Sequence, residues 1–473
     1  MTEKLPTTSR ASRFDAQYPH FPEMRELFRK TAEQVLEGSV ETHHGVKDRR
    51  VGVEMELSCL REKDGLPLDE QTRNTLVESV PGYQTELGSA QIEIMTPPIP
   101  ITAPGGFTAL ASAMQTETEQ LDEHLKRVNA RAIRLGSDPN VFADERCRTT
   151  SKERYRLVPG FHAANRRAGM ASYFGVDGGR VRCDEVAAVG AMSSIQYNLD
   201  CASIQDGINL LNRAFVTGPY AVALGANARF LDGMDTGYAD VRGMVWELSH
   251  DIRTYAEVAQ GLSGRMGLPT AYFQSLRDYF IDLHDQPSIL NIPEAAFELA
   301  AGLYWKDARL KFLRLHESDP QLVLEFRPLS LQPSAFEDYA MIAFALGMLM
   351  NADARNESLL PLPLVHDNRW SAMLHGMDGL LWMMESESPV QAPARDVLKK
   401  QITRARYGMS VLGASTEEIA QVSEVWNQRL MDGTPSDVFF MRVRDAWMRR
   451  SAGNHPIDRA LLRECLLAKK DLL

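Results

Sequence analysis

The chain has 473 residues, and its 63 acidic against 52 basic side chains give a formal charge of -11, which argues against a general nucleic-acid binder because phosphate contacts need a basic surface. Five widely spaced cysteines (Cys59, Cys147, Cys183, Cys201, Cys465) form no CxxC pair, so zinc-ribbon and dithiol chemistry are not indicated and a reducing compartment suits the chain. The N-terminal segment lacks the apolar core of a signal peptide, and the most apolar stretch, YAMIAFALGMLMNA, is too short for a bilayer span; the expectation is a cytoplasmic protein with no membrane partner.

In chain order, residues 1–20 are polar and read as a flexible arm. PEMRELFRKTAEQVLEGS, with Pro near its start and Gly near its end, reads as a helix. Residues 51–57, VGVEMEL, alternate as a strand does: Val51, Val53, Met55 and Leu57 share one face, Gly52, Glu54, Glu56 and Ser58 the other. With about 3.3 Å of rise per residue the two carboxylates stand roughly 6.5–7 Å apart, close enough to raise one pKa unless a cation sits between them. Taken alone, they suit a strand whose polar face meets water. YQTELGSAQIEIMTPPI reads as extended on both sides of a Leu-Gly-Ser turn and stops at Pro97 and Pro98.

A helix is expected over roughly 105–130. Residues 135–185, rich in Gly, Asp, Asn and Arg without a clear period, read as functional loops. MSSIQYNLDCAS alternates like a strand, helical patterns fill much of 204–303, LKFLRLH and LVLEFRPL are strand-like, and 334–473 reads as almost wholly helical. The expected organisation is a flexible arm (1–20), a catalytic domain (21–340) and a helical C-terminal region (341–473) packed on it. No P-loop and no G-x-S-x-G occurs, and His43-His44 reads as a solvated pair.

The acids make a pattern once collected. Glu54 and Glu56 come from one strand, Glu86 and Glu93 from the extended hairpin, and Glu325 from a run in which Val323, Glu325 and Arg327 share a face; Ser194, Gln196 and Asn198 share a face in MSSIQYNLD. Facing one concavity, five carboxylates require divalent cations to neutralise them. Oxygen donors without a His or Cys cluster favour magnesium, with manganese a second choice. Arg327 is then placed to meet a phosphoryl oxygen with its planar fork.

The motifs GVEMEL, ELGSAQIEIMTPP, SIQYNLDCAS, ANARFLDGMDTGYADVRGMVWE, YWKDAR and LEFRPLSLQP, in this order, resemble the plant and proteobacterial type of glutamate-cysteine ligase and the related carboxylate-amine ligases. The resemblance covers about residues 50–340, with a weaker echo in NRWSAMLHGMDG. It implies an α+β fold like glutamine synthetase, in which a curved antiparallel sheet, flanked by helices, forms a funnel-shaped active site for ATP and two or three Mg2+ ions. It also implies that Glu56, Glu86 and Glu93 hold one metal and that Glu54, Glu325 and Gln196 hold another. Arg327 would contact the transferred phosphoryl group, Arg309 would serve the same chemistry, and Arg242 would anchor the acceptor carboxylate. Trp246, one helical turn on, would pack beside Arg242 or in the core, and Asn198 would reach the substrate.

The implied reaction activates a carboxylate with ATP as an acyl phosphate, which an amine attacks to give an amide, ADP and phosphate. Glutamate and cysteine are the substrates the family suggests, and the protein is expected to be a monomer or homodimer. A different amine, a different chemistry on the same metal bed, and a non-catalytic nucleotide-binding relative stay open. Two positions depart from the family: Asp138 in GSDPN stands where relatives often have histidine, and Arg229 in ANARF where they usually have proline.

Overall fold

An antiparallel sheet built around the first acid-bearing strand organises the molecule. The computed structural model describes residues 4–43, 48–144, 146–166, 173–174, 181–182, 185–451 and 457–468. The strands of this sheet are β1 (Arg50–Arg61), β2 (Gln84–Thr85), β3 (Gln91–Met95), β4 (Ile99–Pro100), β5 (Ala130–Ala132), β6 (Ile195–Asp200), β7 (Ala308–Leu313) and β8 (Gln321–Phe326). Their order is β7-β8-β6-β1-β3-β2, with β4 pairing at the start of β1 and β5 at its end. The sheet curls into a half-barrel.

The expected alternation in β1 is present. Val51, Val53, Met55 and Leu57 are at most 1% exposed, while Glu54 and Glu56 sit half-buried on the other face. Each further strand supplies the apolar face in the same way, through Ile92 and Ile94, Tyr197 and Leu199, Leu310 and Phe312, Leu322, Leu324 and Phe326, all buried. Tyr197 and Phe326, cross-strand partners in the β6–β8 register, stack with centroids 5.0 Å apart, a contact worth about 0.5–1.5 kcal/mol beyond its buried area.

Helices cover the apolar face. Gly106–Arg127 packs on β3 and β5, and Ile204–Gly225 on β7 and β8. The first is the helix expected over 105–130; the second is capped by Ser203, whose side chain accepts from the Asp206 N–H. The apolar stretch around 339–352 forms Ala335–Ala354, buried on every side, as a helix sandwiched between others must be. Its near neighbour Ala394–Val411 approaches so closely that a Cβ on Gly347 or Gly408 would collide with the facing backbone, so only glycine fits at either position.

The C-terminal helices are tied to the rest by specific bonds. Trp426, fully buried in Thr416–Asp432, donates its indole N–H to the Ala340 carbonyl (2.9 Å). Glu418 completes a capping box with Ser415 and also accepts from the Thr108 backbone N–H (2.8 Å) and hydroxyl. The position 340/341, where the C-terminal region was expected to begin, lies inside Ala335–Ala354.

Three expectations need correction. Residues 4–20 are not a loose arm: Leu5 and Ala11 are each 2% exposed, a 3-10 turn covers Arg10–Phe14, and Arg10 pairs with Asp285 at 2.9 Å. A few apolar side chains spaced among polar ones suffice to hold a segment that composition alone marks as polar. Residues 135–185, expected as loops, contain the helix Glu153–Asn165 with Pro159 inside it; its buried side chains Val158, Phe161 and His162 are too few to make a visible period. The C-terminal third holds a hairpin, Leu380–Glu385 with Ser388–Pro393, whose period-2 burial of Leu381 and Met383 is hidden in the uniformly apolar LLWMM.

The cysteines Cys59, Cys147, Cys201 and Cys465 are buried free thiols; Cys183 and His44 lie outside the described residues. Among the described residues no helix is long and apolar enough to cross a membrane.

Candidate active site

The polar face of the half-barrel carries two groups of acids, and strand register sorts them. Glu56 stands opposite Glu93 across β1–β3, and Glu93 opposite Gln84 across β3–β2. Glu86 lies just past β2, in a turn held from beneath. Arg73, fully buried, donates to the Gln91 carbonyl (2.8 Å) and to the Thr150 hydroxyl (3.0 Å), and that hydroxyl donates to the Glu86 carbonyl. The turn passes so near Gly190 that a Cβ on Gly88 would strike its carbonyl. The carboxylate oxygens of Glu56, Glu86 and Glu93 all come within 4.8 Å of one another.

This trio is poorly compensated by the protein. Burial, then the neighbouring Glu86, Glu54 and Glu56, pushes the Glu93 carboxyl up to about 10. Burial and Glu86 raise Glu56 to about 7, against the pull of Arg242, the Ser194 hydroxyl and Arg327. Glu56 accepts from Ser194 Oγ (2.6 Å) and Gln196 Nε2 (2.8 Å), so its oxygens are oriented although its charge is not matched. Three clustered carboxylates of this kind suit a hard divalent cation.

Glu54 and Glu325 form the second group, and here cations are abundant. Glu325, fully buried, is bonded by Arg309 Nε, by Arg327 Nη1 (2.9 Å) and by Lys311 Nζ (2.5 Å). Burial alone would raise its pKa, but Arg309, Lys311 and Arg327 together hold it well below the ordinary carboxylate range. Lys311 Nζ also donates to Glu54 Oε1 (3.0 Å) and Asn198 Oδ1 (3.3 Å), and Asn198 Nδ2 donates to the same Glu54 oxygen (2.8 Å). Arg309 is fixed further by the carbonyls of Ala301, Gly302 and Tyr304 at the end of the helix Ala296–Gly302, where a cation is electrostatically favoured.

A cavity of about 260 Å³ opens over this face. One wall is the sheet, with Glu54, Glu56, Glu86, Glu93, Gln196, Arg309 and Arg327. The other is apolar and aromatic: Val158 and Pro159 from the helix Glu153–Asn165, Val186 and Val189, Leu290, Trp246 and Trp305. A smaller cavity of about 40 Å³ shares Trp246, Trp305 and Arg327 with it and adds Arg242, Asp240, Lys306 and Arg369. Arg242, at the start of the helix Arg242–Ser249, is 5% exposed; its Nη1 donates to the Arg327 carbonyl (3.1 Å) and its Nε has no partner. Trp246 stacks on His250 at 5.2 Å.

Of the residues singled out in the sequence, eight line the larger cavity: Glu54, Glu56, Glu86, Glu93, Gln196, Arg309, Arg327 and Trp246. Arg242 lines the smaller one. Asn198 and Glu325 stand in the sheet wall, bonded to the groups named above. Gln196 is spent between neighbours, its amide oxygen accepting from Arg327 Nη1 (2.6 Å) and its NH2 donating to Glu56. Asp138 and Arg229 are elsewhere. Asp138 accepts from the Asn140 N–H (2.9 Å) and burial raises it to about 6; Arg229 pairs with Asp235 (2.9 Å) and covers the Phe440 ring at 3.7 Å.

Sequence reasoning passed over Lys311, His250 and Trp305, and placed Ser194 on the polar face without giving it a role. Lys311 was findable, since it shares a strand face with Arg309 two residues before it.

A model of the family described as glutamate-cysteine ligase family 2 matches residues 50–435. The chain is 26% identical over 236 residues to a putative glutamate–cysteine ligase 2 of Rhodopirellula baltica, covering 49% of this chain and 54% of that protein. It is 28% identical over 204 residues to the glutamate–cysteine ligase EgtA of Mycobacterium tuberculosis, covering 42% of each. The matched segment thus spans about half the length of these curated relatives, or less. The fold is similar to a solved glutamate–cysteine ligase of Francisella tularensis in complex with AMP, with a TM-score of 0.51 at 13% identity over 90% of this chain and 91% of that one. This likeness places the half-barrel and its helices among glutamine synthetase-like folds.

Proposed function

Because the chain belongs to glutamate-cysteine ligase family 2, we propose that it is an ATP-dependent carboxylate–amine ligase that joins the γ-carboxylate of glutamate to cysteine. The observation that carries this reading is the trio Glu56, Glu86 and Glu93 beside Arg327 on one wall of a single cavity. The three acids fit a divalent cation by donor type and by mutual distance. Bound there, Mg2+ would offset the negative charge of nucleotide phosphates.

The chain's own residues would do the rest. Among the described residues both side-chain hydrogen bonds of Arg327 run through Nη1, which leaves Nη2 to stabilise charge on a phosphoryl group in transfer, the main requirement of such chemistry. Arg309 and Lys311 would hold Glu325 and so fix the bearing of Arg327. Arg242, with its unpartnered Nε, would bind a substrate carboxylate. The acyl phosphate formed from glutamate would then be attacked by the amine, giving the amide and phosphate, while the apolar wall of Val158, Val189, Leu290 and Trp305 would exclude water that otherwise hydrolyses it.

The test is to incubate the protein with ATP, Mg2+ and glutamate, add amines singly, and follow ADP and amide. ADP release that requires both glutamate and one amine is the expected result. Absence of ADP with every amine, while nucleotide still binds, would overturn the ligase reading. Glu56→Gln is expected to abolish turnover with the fold retained.

A further inference from the structure

We infer that Lys311 is a built-in counter-cation standing where a second divalent ion would otherwise sit, so that the acid wall holds one tightly bound metal, at Glu56, Glu86 and Glu93, and not two. The inference rests on the metal-binding part of the proposed function and is independent of the reaction catalysed.

The geometry of the ammonium carries it. Lys311 Nζ lies 2.5 Å from Glu325 Oε1, 3.0 Å from Glu54 Oε1 and 3.3 Å from Asn198 Oδ1. An ammonium has three N–H donors and no acceptor, and here each donor has an oxygen from a different strand: β8, β1 and β6. A magnesium ion needs its oxygens at about 2.0–2.1 Å in near-octahedral array; at this point it would have to share Glu54 and Glu325 with Nζ.

Charge decides between the two occupants. Glu54 and Glu325 contribute two negative charges, and Arg309, Lys311 and Arg327 are three positive charges in direct contact with them. Adding a dication would place five positive charges against two carboxylates in a wall where Glu325 is fully buried, and unmatched charge is costly in such a place. The trio is the reverse case. Three carboxylates meet within 4.8 Å, and among the described residues none of them makes an ion pair to Lys, Arg or His. A dication is drawn to the trio and repelled from the dyad.

Local structure explains why a lysine can do this. Arg309 and Lys311 alternate with Leu310 and Phe312 in β7, which places both cations on the polar face. β7 is the edge strand of the sheet beyond β8, so its long side chains reach inward across β8 toward β6 and β1. The ammonium is tethered covalently, so the dyad stays compensated at any concentration of free metal.

The experiment counts Mn2+ ions bound to the intact protein, without nucleotide or substrate, by calorimetry together with the loss of the free-ion EPR signal. One tight ion per chain is expected, and none in Glu93→Gln. Lys311→Met is expected to raise the count to two, and Lys311→Arg to leave it at one. Glu54→Gln, which keeps the side-chain volume, is expected to leave the count at one. Two tight ions in the unaltered protein, a count that falls in Glu54→Gln, or a folded Lys311→Met that still binds one ion would overturn the inference. Because no turnover is measured, failure of the ligase reading leaves these counts unaffected.

Discussion

The trio Glu56, Glu86, Glu93 and the dyad Glu54, Glu325 lie on the same face of the same sheet, on neighbouring strands, yet the protein treats them in opposite ways. The dyad is enclosed by Arg309, Lys311 and Arg327, and Glu325 is held in its charged form. Glu56 of the trio has hydrogen-bond donors in Ser194 and Gln196, but among the described residues no Lys, Arg or His pairs with any of the three, and Glu93 is pushed up to about 10. A buried carboxylate with its own cations is a structural part; carboxylates crowded without cations are stored binding energy for an external one. Position on a polar strand face is therefore a poor guide to role, and the cations on the next strand are the better one.

The sharpest way to break this comparison is stability in chelator. Glu325→Ala, which strands the buried Arg309 and the half-buried Lys311 and Arg327, is expected to cost about 3–5 kcal/mol in urea unfolding. Glu93→Gln is expected to act with the opposite sign. A carboxyl raised from 4.5 to about 10 is bound to its proton in the folded state, so at pH 7 folding carries a penalty of about 3 kcal/mol that an amide escapes. If both variants destabilise, the two groups are not different in kind. Next in size, Arg327→Met is expected to lower kcat by about 10²–10³-fold, the usual loss for one donor to developing charge, with KM for the amine little changed. Adding Mn2+ at about 100 times its Kd is expected to stabilise the unaltered protein by about 2.7 kcal/mol and Glu93→Gln by nothing measurable in thermal unfolding.

The smallest effect comes from a third kind of buried titratable pair. His162 and His250 are fully buried with rings 4.6 Å apart, and among the described residues neither forms an ion pair with a carboxylate. Burial lowers His250 to about 3 and His162 well below its usual value, the latter helped by His250 and Arg265. Both therefore stay neutral in the folded state while the unfolded chain takes up protons near pH 6.5. Their contribution is complete above that value and is lost as pH falls through it, by roughly 1–2 kcal/mol for the pair between pH 7 and 6. Replacing both with Phe should remove that slope from the urea midpoint as a function of pH.

Much of this was legible in the strands. The alternation of VGVEMEL correctly placed Val51, Val53, Met55 and Leu57 in the core and both acids opposite, because a period of two follows from backbone geometry alone. Glu86 and Glu93 were found in their hairpin, and Glu325 with Arg327 in theirs. What could not be read was which acid meets which cation. That depends on register between β7, β8, β6 and β1, strands up to about 270 residues apart in sequence by their numbering, and register is set by long-range packing. The strand and face of Lys311 were readable for the same reason that Arg309's were, but its partners Glu54, Glu325 and Asn198 were not. The helix Glu153–Asn165 and the hairpin at Leu380–Pro393 escaped for a different reason: one has too few buried residues for a period, the other too many apolar ones for an alternation to show.

The crossing of Gly347 and Gly408 bears on how the polypeptide could be divided. Cutting the gene in the loop before Leu362 would separate the two glycines into different fragments. Because neither surface tolerates even a methyl group there, the halves would be an unusually selective pair for a split-protein reporter. A single Gly408→Ala change should keep them apart while leaving each fragment's own sequence otherwise intact.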